Sequence, residues 1–429
     1  MVELNEHNAG DLFRAGLSPE PPRPPRVDVA IAMRDGRRRR AARRAALVGG
    51  IAVAAAMAVA VPAALALTRN ESAPPGLDPT AVASEHPVNP NTGTPGPTAR
   101  RSLEAPPFAE PPTSCTAHEL PSPSSGGEST LVTAGSPNGK VHFGLLYRAD
   151  GEKQVVRWRA GQPALLAFEG DEPRIQSVNN NGEAVGDSLV NGTETAWLLG
   201  ADDQVKRLPG GEHAHAVAIN GVGEVAGSRG SDGPGGRPTV WRDTGAPPVD
   251  LPLPAGATGG QVRAMDDWGS VFGSVTFGTR ELPYTWAPDG TGRQLPLPPG
   301  TPTSPSGGPK PGPSSIVYDA RAGWAVGITG LYSPTPRPVR WNMLTNTVEV
   351  LTGLDRATAV NGMGFTIGNT AAGRGVLLAE DQRIVLPAIL NPGKDRPNTP
   401  ATISDDGRTI AGQAWRDSNT FQAVVWNCH

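Results

Sequence analysis

The chain has 429 residues, with 54 Gly, 46 Pro and only two Cys, and a net charge of −3 with 18% charged residues. One to three domains fit in that length. So balanced a charge excludes a dominant electrostatic partner such as nucleic acid, and the Gly and Pro content points to many turns plus a disordered part.

Residues 1–33 are polar, carry a Pro cluster and lack a long apolar period, so a disordered segment reaching residue 45 is expected. Residues 34–44, "RDGRRRRAARR", hold seven Arg. A basic run of this kind reads as a cytoplasmic stop signal beside anionic headgroups, or as a nucleic-acid tail. The next segment decides for the first reading. Residues 46–67 carry no charge over 22 residues, roughly 33 Å as a helix and about one hydrocarbon core. A basic flank before an apolar span predicts a single-pass anchor, N-terminus cytoplasmic and the remainder extracellular. The alternative is a cleaved signal peptide, since "ALA" at 64–66 fits a small-x-small site. Residues 68–114 hold eleven Pro, three Gly and one aromatic, which predicts an extended stalk.

From residue 115 the pattern changes. Seven short segments end in glycine, at positions 139, 182, 223, 269, 323, 364 and 407, spaced by 43, 41, 46, 54, 41 and 43 residues. A second glycine follows each, at 144, 186, 227, 273, 327, 368 and 412, and a Trp then follows in six units, at 158, 197, 241, 286, 341 and 426. The sixth unit has Val376-Leu377-Leu378 instead. A period near 40–45 residues built of short strands predicts an all-β, seven-bladed β-propeller over 115–429. Asn or Asp and then Gly supply the left-handed backbone of a tight hairpin, the second Gly suits a close backbone approach, and the Trp fills the gap between blades.

Units close on a fourth strand ending in Leu-Pro, as in "KRLP" (206–209) and "RQLP" (293–296). The seventh unit stops at its third strand, "AVVWNCH", while "TAHELP" (116–121) precedes the first unit and matches the fourth strands. The N-terminal strand is therefore expected to complete the last blade. Cys115 and Cys428 then stand where other blades turn from third to fourth strand, and a disulfide between them replaces the missing loop. The alternative is two free buried thiols.

The units "AVAINGVGEVAG" (216–227) and "ATAVNGMGFTIG" (357–368) resemble the HAF class of extracellular repeats, over about 315 residues in all. That resemblance implies an exported repeat protein and no particular activity. The strand order is similar to WD-type propellers, without a Trp-Asp signature, and the high Ala, Gly, Pro and Arg usage resembles actinobacterial proteins.

In such blades the longer Pro- and Gly-rich loops, among them 296–315 and 387–400, share one end of the ring, and the tight glycine turns share the other, where the stalk enters. The long-loop end is expected to face away from the membrane and to carry function. At the start of the innermost strands stand Ser129, Arg174, His215, Gln261, Ser315, Arg356 and Thr399. Arg174, His215, Gln261 and Arg356 are the candidate ligand-binding residues, because two Arg and a His at a channel mouth can receive an anion or carboxylate. The competing reading is a solvated rim. His213 and His215 lack a third metal ligand. Nucleophile-elbow, zincin and phosphate-loop motifs are missing from the sequence. No catalytic residue, metal or cofactor is nominated. The expectation is a binding module for an extracellular protein or glycan, with an envelope enzyme or a transmembrane signalling protein as alternatives.

Overall fold

The computed structural model describes residues 109–124, 128–230, 235–301, 314–331, 333, 335–389, 398–416 and 420–429. The expected cytoplasmic segment, the membrane span 46–67 and most of the stalk lie outside these residues, as do the centres of the long loops at 302–313 and 390–397. Among the described residues no helix is long and apolar enough to cross a membrane.

Seven four-stranded antiparallel sheets form seven blades. Their innermost strands are Ser129–Gly135, Asp171–Val178, Ala214–Ile219, Gly259–Met265, Ser314–Arg321, Arg356–Val360 and Asn398–Ile403. Residues from all seven line one axial cavity of about 280 Å3. In blades 1 to 6 strand order follows chain order. In blade 7 the order inward is Cys115–Glu119, Phe421–Cys428, Thr409–Trp415 and Asn398–Ile403. The outer pair runs from Cys115 opposite Cys428 to Glu119 opposite Val424, and the two cysteines are disulfide-bonded.

The first hairpin of each blade turns on chemistry that the sequence displays. Asn220 Oδ1 accepts the amides of Val222 and Glu224, and Asn361 Oδ1 accepts those of Met363 and Phe365. Blade 5 is tighter. Arg321 pairs directly with Trp324, and both central residues are left-handed, Ala322 at φ 43° and Gly323 at φ 83°. A two-residue turn of that hand matches strand twist and favours Gly at its second position.

The second glycine has a more specific cause. Every innermost strand carries a bulge, at Thr133, Gln176, Val217, Arg263, Tyr318, Thr358 and Ala401. These seven residues line the axial cavity. Beside the bulge, a carbonyl leans over the second strand at the glycine. A Cβ added at Gly186 would sit 1.8 Å from Arg174 O, and those added at the six equivalents would meet carbonyls at 1.8–2.1 Å. The glycine therefore permits the bulge, and the bulge turns one side chain per blade into the channel.

Five tryptophans, Trp158, Trp241, Trp286, Trp341 and Trp426, are fully buried. Each contributes about 4–6 kcal/mol of apolar transfer free energy. Each indole N–H also donates to a proline carbonyl, of Pro121, Pro209, Pro252, Pro296 and Pro387 respectively, at 2.7–2.9 Å. Four of these prolines stand two residues past the outer strand of the preceding blade, and Pro209 lies within Val205–Glu212 where the pairing is interrupted; in each case the proline carbonyl receives the neighbour's indole. Trp197 departs from this scheme. It pairs with the inner glycine Gly186, whereas the other five lie two residues further on, so Leu199 holds its place in blade 2 and Leu378 in blade 6. Both exceptions follow an outer strand in which Ala167 or Thr352 replaces the proline. Trp197 donates instead to Ser188 Oγ at 2.7 Å. Trp241→Phe is expected to destabilise by about 1–3 kcal/mol, since Pro209 O is left buried and unpaired. Urea unfolding measures this, and an unchanged midpoint would remove the clamp from the account.

Candidate functional site

The register redraws the ring at the long-loop end of the channel. The residues whose carbonyls face the inner glycines are Leu131, Arg174, His215, Gln261, Ile316, Arg356 and Thr399. Ser129 and Ser315 are therefore out of step with the other five. Ser129 lies ten residues before its turn glycine, Gly139, whereas the in-step residues lie eight before theirs, and the two-residue turn of blade 5 shortens that count to seven, which puts Ile316 where Ser315 is expected.

Arg174, His215 and Gln261 do not form a solvated rim. Asp187, on the second strand of blade 2, accepts from Arg174 Nε at 2.8 Å and lies 2.6 Å from Arg174 Nη2. Its other oxygen lies 3.1 Å from His215 Nδ1, in blade 3. His215 Nε2 lies 2.8 Å from Glu194 Oε2, at the start of the third strand of blade 2. Two cations and two anions thus close a neutral chain between neighbouring blades. Asp187 and His215 are buried, while Glu194 and Arg174 keep 31% and 21% of their side chains exposed. Nothing in the spacing of Arg174 and His215 announces the two carboxylates, which come from the second and third strands.

Burial would lower the pKa of His215, but Asp187 and Glu194 outweigh it and raise it to about 9 from 6.5. Asp187 is lowered in spite of burial, by Arg174 and His215, and Glu194 is lowered chiefly by its bond to His215. The imidazolium contribution to stability is full below the ordinary imidazole value, declines as pH rises beyond it, and is lost above about 9. The carboxylate contribution is lost in the opposite direction, as pH falls below ~4. The melting temperature is expected to be highest near pH ~5–6.5 and to lose on the order of 2–3 kcal/mol of stability by pH ~9. His215→Gln is expected to flatten that alkaline limb in thermal melts. A wild-type limb that is already flat would contradict the assignment.

Gln261, in blade 4, belongs to a second buried network. Its Nε2 donates to Ser274 Oγ at 3.1 Å and to Glu281 Oε2 at 2.5 Å, and its Oε1 accepts from Arg263 Nη2 at 2.8 Å. The Glu281 amide donates to Ser314 Oγ of blade 5 at 3.0 Å. Arg356, in blade 6, meets an aromatic ring of the preceding blade. Its guanidinium lies 5.1 Å from the centre of the Tyr318 ring, a channel-lining side chain of blade 5. The four nominated residues are therefore distributed over blades 2, 3, 4 and 6 and do not converge on one point. His213 lies in a left-handed turn with φ 56°, and it does not join His215. Among the described residues no group of three or more His, Cys, Asp or Glu is placed to hold a metal ion.

The opposite end of the channel is bridged. Arg321 of blade 5 reaches Asp405 of blade 7 through two bonds of 3.0 and 2.9 Å, and Asp267 of blade 4 at 2.7 Å. Asp319, two residues before that arginine, accepts the Val360 amide at 3.0 Å, and burial pushes its carboxyl up to about 6. The axial cavity is thus crossed by an ion-paired arginine at the tight-turn end.

No family model and no curated protein matches this sequence. Solved structures are similar at low identity. A catalytically inactive virginiamycin B lyase from Staphylococcus aureus with quinupristin is 14% identical, over 73% of this chain and 99% of that one, with a TM-score of 0.47. An oligogalacturonate lyase from Vibrio parahaemolyticus is 9% identical over 73% and 97%, with a TM-score of 0.48. The β-propeller domain of the Trilobed protease from Pyrococcus furiosus is 10% identical over 70% and 95%, with a TM-score of 0.47. The propeller architecture rests on the seven four-stranded sheets of this chain and not on these likenesses.

Proposed function

We propose that the chain is a membrane-tethered, extracellular propeller of the HAF-like type, acting as a binding module for an envelope or extracellular protein or glycan at the long-loop end of its channel. The observation that carries this reading is the mouth itself. Arg174 and Glu194 are partly exposed, yet both are fixed by buried partners, so polar groups are presented without a conformational search. The tether rests on the seven-Arg run and the charge-free span 46–67. Nucleic acid has no part in this reading, and neither does a cofactor.

An extracellular lyase or hydrolase is the second reading, favoured by the approach of Asp187, His215 and Glu194 at one mouth. The cluster is charge-neutral, however, and His215 is held protonated by two carboxylates, so no poised base stands free in it. One experiment separates the two. Purified protein is screened against an array of defined envelope glycans and peptides, comparing wild type with Arg174→Ala plus Arg356→Ala. The binding reading predicts a retained ligand whose affinity drops at least ~10-fold in the double variant, the equivalent of ~1.4 kcal/mol. Unchanged binding removes the mouth as the site. Turnover of a bound glycan or peptide, abolished by His215→Gln, would establish the enzyme instead.

A further inference from the structure

Among the described residues, six large apolar side chains are strongly exposed. Leu165, Val249 and Val385 lie singly on outer strands of blades 1, 3 and 6. The other three gather at one place. Val222, 50% exposed, and Trp268, 43% exposed, sit in the first-hairpin turns of blades 3 and 4, and Leu344, 82% exposed, sits in the last hairpin turn of blade 5. All three turns are at the tight-turn end. The turns of blades 3 and 4 are joined by the Gly221 amide donating to Asp267 Oδ1 at 2.8 Å. Trp268 lies against the blade 5 turn, since a Cβ at Gly323 would meet its ring at 3.0 Å. Trp268, Met343, Leu344 and Arg293, whose guanidinium donates to Asn346 Oδ1, are among the residues lining a groove of about 310 Å3.

Isolated exposed apolar residues need no explanation, but three on consecutive blades, with a tryptophan among them, form a patch. The patch has a direction. The chain enters at the same end, where the Ala109 amide meets Met363 Sγ at 3.4 Å in the blade 6 turn, and the Thr113 amide reaches His429 O at 2.6 Å. Residues 68–108 connect this point to the charge-free span 46–67. The extended, Pro-rich stalk expected there reaches roughly 130 Å at most. A surface tethered within that reach meets the bilayer as an intramolecular partner, so a small apolar patch suffices. Trp is suited to the headgroup level, with its ring apolar and its N–H wet, and Arg293 is exposed beside it for a phosphate. The acidic turn residues close to the patch are engaged, Glu224 by Arg242, Asp267 by Arg321, and the buried Asp266, which lines the groove, by the Trp268 and Ser270 amides.

We infer that Val222, Trp268 and Leu344 form a bilayer-contacting face, so that the propeller rests on the outer membrane–water interface with its long-loop end turned to the medium. This rests on the reading that the chain is membrane-tethered. It goes beyond that reading, because a tether alone leaves the orientation of the propeller free.

The test uses the full chain reconstituted into vesicles of phosphatidylcholine and phosphatidylglycerol with acyl chains brominated near the headgroup. Flotation reports the tether. Tryptophan quenching by the brominated chains reports the face, and residues 46–67 contribute none, since they contain no Trp. Wild type is expected to float and to lose more emission than Trp268→Phe, with the difference confined to brominated vesicles. Val222→Lys plus Leu344→Lys, both at exposed positions, is expected to float with an unchanged melting temperature while the Trp268-dependent quenching falls at least twofold. Flotation without Trp268-dependent quenching overturns the face and leaves the tether standing. Shielding of Trp268 that depends on protein concentration and not on bromine also overturns it, in favour of a second copy of the chain. Failure to float overturns both.

Discussion

Gly186→Ala is expected to abolish the folded propeller, with a loss above ~4 kcal/mol, in the range reserved for a direct backbone conflict. The new methyl would stand 1.8 Å from Arg174 O and 2.8 Å from its carbonyl carbon. Neither atom belongs to a flexible side chain that could swing aside. Relief would require flattening the bulge at Gln176, which would break the pairing of the first two strands of blade 2. The contrast lies four residues earlier. At Gly182 the nearest atom to an added Cβ is Arg159 Nη2 at 3.6 Å, and only the left-handed backbone, φ 83°, opposes alanine. Gly182→Ala is therefore expected to lose only about 1 kcal/mol. Urea unfolding followed by tryptophan emission compares the two. If both variants unfold at the same denaturant concentration, the bulge is not what demands the inner glycine.

Removing the disulfide by Cys115→Ser plus Cys428→Ser is expected to lower the unfolding free energy by about 5 kcal/mol on the chain-entropy model. The two cysteines are 313 residues apart, so the bond closes almost the whole propeller into one loop. The outer strand of blade 7 is short, with five residues and mostly exposed or half-exposed side chains. The strand pairing, the Trp158 bond to Pro121, the Gln422 bond to Leu120 O and the buried Leu120 side chain are among the contacts that remain to hold it once the sulfurs are gone. The measurement is the urea midpoint of the double variant beside that of oxidised and reduced wild type. The reduced protein should match the variant. Equal stability of all three would show that the strand holds without its bond, and that the loop-entropy argument fails here.

The architecture is legible in the sequence because its signals are local. A turn glycine, an inner glycine and an indole recur at near-constant spacing, and each answers to a backbone or packing demand within one blade or its neighbour. Register is less legible. Trp197 looks like the other blade tryptophans but is two residues out of place, and only the missing proline at Ala167, thirty residues earlier, hints at why. The mouth is least legible. Arg174, His215 and Gln261 are placed at one end of the inner strands by simple alignment, but their state is set by Asp187, Glu194 and Glu281. Those carboxylates arrive from second and third strands and are positioned by cross-strand pairing, which no spacing rule in the inner strand encodes. Ser315 fails for a related reason: one residue lost in the blade 5 turn shifts its strand, and period counting averages over such shifts, while Ser129 opens its strand two residues before the position that faces the inner glycine.

Residues 115–119 pair with residues 424–428, the pairing that a closed ring requires, and hydrogen exchange read by mass spectrometry tests it most directly. Oxidised protein is compared with reduced protein, following peptides that cover 113–120 and 421–429. The pairing predicts that both peptides are protected in the oxidised protein and that both lose protection on reduction, 113–120 more than 421–429, which keeps its pairing with Thr409–Trp415. An N-terminal peptide that exchanges at the rate of an unfolded chain, while 421–429 stays protected, would contradict the closed ring.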